Sequence, residues 1–141
     1  MEYQKLGTYY VLRLEVGEEV NQTIKEFCRK EKIRSGKISG IGMLREAVIS
    51  YFVPSLGEYQ HKPIEEFVEL TSLVGNISIM DGEVIPHLHA TLADAQFNLS
   101  GGHLTSGEIG VTGEIILEPF QGVIVRKKHQ ETGLRLLALG E

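Results

Sequence analysis

The sequence predicts an α+β domain: a mostly antiparallel sheet with one main amphipathic helix after the first strand. Three observations carry this expectation. Apolar and polar residues alternate along several short stretches, the period of a half-buried strand. Val20, Ile24, Phe27 and Cys28 recur at helical spacing and form a single apolar stripe. Glycine is abundant, 16 of 141 residues, which points to tight turns or close backbone approach.

Taken in order, Tyr10, Leu12, Leu14 and Val16 alternate with Val11, Arg13 and Glu15, so residues 8–16 read as a strand. The helix follows and is expected to end near Lys32, with Lys25, Arg29 and Lys32 on a second stripe. Ser39-Gly40-Ile41-Gly42 reads as a strand with a bulge or a close backbone approach. Leu44 to Val53 is a further strand, and residues 54–63 are expected to be a loop. Phe67–Val74 and Asn76–Met80 are short β runs before the Asp81-Gly82 turn signal. Val84–Ala93 is a strand with Pro86 near its start, where a missing donor is tolerated. Ser100-Gly101-Gly102-His103 is expected to break the pattern. Ile109–Glu118 and Leu134–Leu139 then close the chain as strands.

Length argues for one domain over residues 1–141. Apolar residues make up 42%, enough for a core and too many for intrinsic disorder. A single cysteine excludes an internal disulfide. No apolar run approaches the roughly 18 residues of a membrane span, and no secretory leader is visible, so the expected compartment is the cytoplasm. The net charge is −5, yet residues 25–45 hold seven basic and two acidic side chains, while residues 46–125 hold Lys62 against eleven acids. Such a chain repels a phosphate backbone unless its cations converge on one face.

The strongest chemical signal is Pro86-His87-Leu88-His89-Ala90. Alternate strand residues share a face, so His87 and His89 point the same way, with α-carbons about 6.6 Å apart. Two imidazoles at that separation can converge on one metal ion. Alone, such a pair also fits a polar sheet face. His103, after Gly101-Gly102, adds a third ligand if the glycines let the backbone turn sharply. Three histidines with an open fourth position suit zinc and several other divalent transition metals, so zinc is a choice by availability. Glu114 and backbone carbonyls are candidates for holding the ring orientations. Protons compete near the histidine pKa of about 6.5, so affinity is expected to fall below about pH 6. His61 and His129 read as surface residues in loop-like surroundings.

Other signals are weaker. Cys28 lies on the helix's apolar stripe and reads as a buried, inert thiol. Asp94, Glu108 and Glu114 are acid–base candidates that nothing in the sequence pairs. Lys25, Arg29 and Lys32 could meet nucleic acid, as could Arg126-Lys127-Lys128, but no aromatic residues interleave with them for base stacking. The solvated face of a helix explains the first group equally well.

Ser39-Gly40-Ile41-Gly42, residues 66–76 (EFVELTSLVGN), Pro86-His87-Leu88-His89 and Gly101-Gly102-His103-Leu104 occur in this order. Together they resemble the plants-and-prokaryotes-conserved (PPC) domain in its stand-alone prokaryotic form, over nearly the whole chain. The resemblance implies an α+β fold that assembles as a homotrimer, and zinc on His87, His89 and His103. It implies Ser39, Gly40, Gly42, Gly101 and Gly102 bordering the site, with Glu114 nearby. It also implies DNA as a partner, since prokaryotic members are named predicted DNA-binding proteins. Plant members place the domain after an Arg-Gly-Arg-Pro element, which this chain lacks. The alternative from the same residues is a small metal-dependent enzyme with cupin-like chemistry. His87-x-His89, Asp94 and Gly101 approach a cupin's HxH…E…G spacing, with Asp where cupins have Glu. An early helix between the first strands fits the PPC domain better, which weighs against an enzyme.

Overall fold

This computed structural model describes residues 1–140, among which there are nine strands and one helix; Glu141, the end of the expected 1–141 domain, lies outside the described residues. In chain order the elements are β1 (Glu2–Leu6), β2 (Tyr9–Leu14), α1 (Val20–Lys30), β3 (Gly36–Val53), β4 (Glu58–Ile64), β5 (Val68–Met80), β6 (Glu83–Ala93), β7 (Leu99–Pro119), β8 (Val125–Lys128) and β9 (Arg135–Ala138). The pairings are antiparallel except for the single parallel bridge between β5 and β8. The α+β architecture expected from the sequence is the one observed. No helix among the described residues is long and apolar enough to cross a membrane.

Four strands pair in a closed ring. β3 bonds to β5, β5 to β6, β6 to β7, and β7 back to β3. Its interior is apolar, with Ile38, Leu44, Leu73, Ile77, Leu88, Leu92, Leu104 and Ile115 all fully buried or nearly so. Helix α1 adds Val20, Ile24, Phe27 and Cys28 to the same core. Glu19 caps the helix by accepting from the Gln22 amide at 2.7 Å and from the Gly107 amide at 3.0 Å. Burial raises the Cys28 thiol to about 12, so it is the inert group expected.

Several boundaries differ from expectation. Residues 2–6 pair with β2, although their sequence carries no strand signal that stands out. The expected 54–63 loop contains β4, and the two runs before Asp81 are one strand, β5. The expected break at Ser100–His103 is absent: these residues lie inside the 21-residue β7. Gly101 and Gly102 serve close packing rather than a turn. A Cβ at Gly101 would lie 2.6 Å from the Ala90 carbonyl oxygen, and one at Gly102 would lie 2.7 Å from that of Ser50. The helix ends at Lys30, and Lys32 takes a positive φ of 56° beyond it, so Lys32 does not extend the Lys25–Arg29 stripe. The sheet also contains β8, for which the sequence offers only four residues.

Gly75 is the tightest of these approaches, since a Cβ there would lie 2.0 Å from the backbone oxygen of His87. Gly75→Ala is therefore expected to lower stability by about 1–3 kcal/mol or more, because β5 or β6 has to shift. Urea denaturation checks this; an unchanged midpoint would show that the two strands have slack.

Candidate metal centre

Strand register builds the centre directly. His89 on β6 is paired with His103 on β7, and His87 lies two residues from His89 on the same face. The next strands extend the row: His103 is opposite Ser50 on β3, and Ser50 is opposite His61 on β4. Leu88, Ala90 and Leu104 alternate with the histidines and point into the core, so the imidazoles stand on the outside of the ring. The ring centroids of the three histidines lie 5.2, 5.2 and 5.6 Å apart. One nitrogen from each lies within 4.8 Å of the other two, so the set could hold a metal ion. A tetrahedral ion with bonds of about 2.0–2.1 Å needs its ligand nitrogens about 3.4 Å apart, a closure within reach of small side-chain rotations. His103 Nδ1 is buried without a hydrogen-bond partner, a state that a bound cation would relieve.

Burial and charge favour the neutral form of His87 and His103. Burial first, and then the charge of Arg126 and the neighbouring histidines, lowers His87 to about 4. Burial also lowers His103, followed by His89, Arg126 and His61. Neutral imidazoles present lone pairs, and proton competition at His87 begins at lower pH than for an unperturbed histidine.

Arg126 is the site residue that sequence reasoning missed. It reads as part of a surface cationic run, yet it is only 7% exposed. Its Nε donates to Ser78 Oγ at 2.8 Å and Nη1 to the Arg135 carbonyl at 2.7 Å. Its Nη2 donates to Asn76 Oδ1 at 2.8 Å and to His87 Nδ1 at 3.1 Å. Because arginine only donates, His87 Nδ1 is the acceptor, and the neutral ring carries its proton on Nε2. Through Arg126 the β8–β9 hairpin is held over the histidines, and a hollow of about 470 Å³ remains between them. No sequence pattern announces this: a lone arginine in a charged run looks like any surface cation.

The other expected site residues are distributed. Gly101 and Gly102 adjoin His103 in β7. Ser39 pairs with Val74, which pairs with His89, so it lies two strands from the triad. Gly40 sits at the β3 bulge, while Gly42 and Glu114 line a separate hollow. The ring of His87 is thus held by Arg126, which is itself bonded to Asn76, rather than by Glu114. His61 lies on a strand instead of a loop, where Ser50 Oγ meets its Nδ1 at 2.7 Å and Tyr59 stacks on its ring. Asp94 accepts from the Gln96 and Asn98 amides, both at 2.9 Å, and so closes a turn. Glu108 pairs with Arg45. Lys25 lies 3.2 Å from Glu83, which Arg29 also contacts, while Lys32 borders a different hollow with Arg34 and Lys5.

The Plants and Prokaryotes Conserved (PCC) domain matches residues 1–121. The chain belongs to this family. A plant- and prokaryote-conserved (PPC) protein from Pyrococcus horikoshii is 38% identical, with a TM-score of 0.87 over 99% of this chain and 96% of its own. A metal-containing protein from Archaeoglobus fulgidus is 33% identical, with a TM-score of 0.88 over 98% and 99%. A putative DNA-binding protein from Bacteroides thetaiotaomicron is 31% identical, with a TM-score of 0.94 over 97% and 96%. The bifunctional protein GlmU of Synechococcus sp. (strain JA-3-3Ab) is 33% identical over 110 residues, 77% of this chain but 16% of that longer protein.

Because His87 takes up its proton near pH 4 when folded and near about 6.5 when unfolded, the unfolded chain binds more protons between these values. Stability of the metal-free protein is therefore expected to fall as pH drops from about 6.5 towards about 4. Chemical denaturation across this window should show the loss, and His87→Gln should flatten it; equal slopes in the two proteins would assign the effect elsewhere.

Proposed function

We propose that this PCC-domain protein is a homotrimeric binding module that carries one divalent metal, zinc, on His87, His89 and His103. The observation that carries this reading is the convergence of three outward-facing imidazoles, one of which, His103, leaves its buried Nδ1 without a partner. The metal-containing relative supports it. Three histidines leave a coordination position for a ligand. A cytoplasmic location is consistent with the single, buried thiol.

Assembly is supported by the outer face of the sheet. Val11 on β2 is opposite Ile116 on β7, which is opposite Ser39 on β3 and, through it, Val74 on β5. Val11, Ile116 and Val74 are 37%, 47% and 52% exposed, so an apolar row faces solvent and ends at His89. Two further copies covering such rows would bury them, as closed symmetric assembly does.

DNA is the partner suggested by relatives such as the one from Bacteroides thetaiotaomicron. In this chain Glu83 neutralises part of the Lys25–Arg29 stripe, and Arg126 is buried. With a net charge of −5, the protein is proposed to bind duplex weakly and through phosphate contacts alone.

Metal analysis combined with light scattering tests the reading. Protein purified without chelator is expected to hold about one zinc per chain and to run at three times the chain mass. His103→Ala should lose the metal at least tenfold more readily and keep its circular dichroism, since its side chain lies outside the core. Full zinc retention in that variant would remove the triad from consideration, and a monomer mass would remove the trimer.

A further inference from the structure

Arg126 presents an unusual balance. The residue is 7% exposed, and its guanidinium bonds to four acceptors, all of them uncharged. Among the described residues it forms no ion pair with a carboxylate, and no acidic side chain lines the hollow it borders. Arg135 lines that hollow as well, which adds a second cation. Buried charge without a counter-charge is costly, and an arginine fork matches a planar oxyanion with two parallel bonds.

The bond from Arg126 to His87 sharpens the point. A neutral imidazole has one lone pair, and here His87 gives it to Arg126 at 3.1 Å. A metal claiming His87 through either nitrogen takes that lone pair, because ligation at Nε2 forces the proton onto Nδ1. Metal and Arg126 therefore cannot both be satisfied by His87. Metal binding frees an N–H beside the hollow and adds two positive charges to a wall that already carries two arginines.

We propose that metal binding converts Arg126 into one arm of an anion site that takes a small carboxylate, one end on the metal's open position and the other on the guanidinium. This rests on the metal reading above. Arg126 lies beyond residues 1–121, so the arm belongs to the β8–β9 hairpin rather than to the matched domain. The hollow, about 470 Å³, is ample for a carboxylate of a few carbons.

Protein loaded with Co(II), whose visible bands report its ligands, tests this with acetate as probe and acetamide and inorganic phosphate as comparisons. Acetate is expected to shift the bands saturably, acetamide to leave them unchanged, and phosphate to act more weakly than acetate. Metal-free protein should take up no acetate by calorimetry. Arg126→Gln should still bind Co(II) but need at least tenfold more acetate. Should that variant lose its fold, the unaltered protein still decides: acetate must tighten Co(II) binding and acetamide must leave it unchanged, and no tightening by acetate overturns the proposal. Co(II) bands indifferent to acetate overturn the proposal, as does an Arg126→Gln variant with unchanged acetate affinity. Stronger binding of phosphate than acetate overturns the carboxylate assignment. Protein that takes up no Co(II) overturns the metal reading itself, which is a separate result.

Discussion

The histidine centre depends on one steric constraint: β7 runs between β3 and β6 at backbone contact distance over Gly101, Gly102 and His103. Without side chains at the two glycines, the Ala90 and Ser50 carbonyls can close in from either side. That approach completes the four-strand ring. It also fixes the register that sets His103 directly opposite His89. Once the pairing is set, alternation sends Leu88 and Leu104 inward and all three imidazoles outward. The core and the site are thus two faces of one register, and neither can slip by a residue without exchanging with the other.

Charge is distributed to the same effect. Most of the acidic side chains lie between residues 46 and 125, yet none lines the hollow between the hairpin and the histidines. His87 and His103 are half-buried and lie near a guanidinium, which disfavours their protonation. Arg126 occupies the lone pair of His87 while giving its remaining bonds to Asn76, Ser78 and a carbonyl of its own hairpin. The His87 lone pair that Arg126 takes is the same one that a metal ion on this ring would require.

Much of this was legible in the sequence, because it rests on local periodicity. The helix stripe, the first long strand and the His87–His89 pair follow from spacings of four and two residues. The meeting of His103 with that pair was foreseen through the wrong geometry, since glycines pressed between strands and glycines in turns look alike in sequence. The β4 strand leaves no trace in the sequence because its Glu58–Ile64 stretch is almost wholly exposed and so carries no buried alternation. Arg126 and Asn76 were illegible as site residues for a different reason. Their meeting joins positions 50 residues apart, and only tertiary pairing makes it.

The β8–β9 hairpin touches the ring sparingly, by the Ile79–Val125 bridge, the Ile79 amide bonded to the Ile124 carbonyl at 2.8 Å, and the bonds of Arg126. The ring supplies the imidazoles and the hairpin supplies most of the opposite wall. The wall of the hollow is therefore separable from the strands that carry the three histidines. Exchanging some fifteen residues of that segment would reshape the hollow while every strand of the ring keeps its partner. In evolutionary terms the histidines and the wall that faces them sit in different compartments, each free to vary at its own pace.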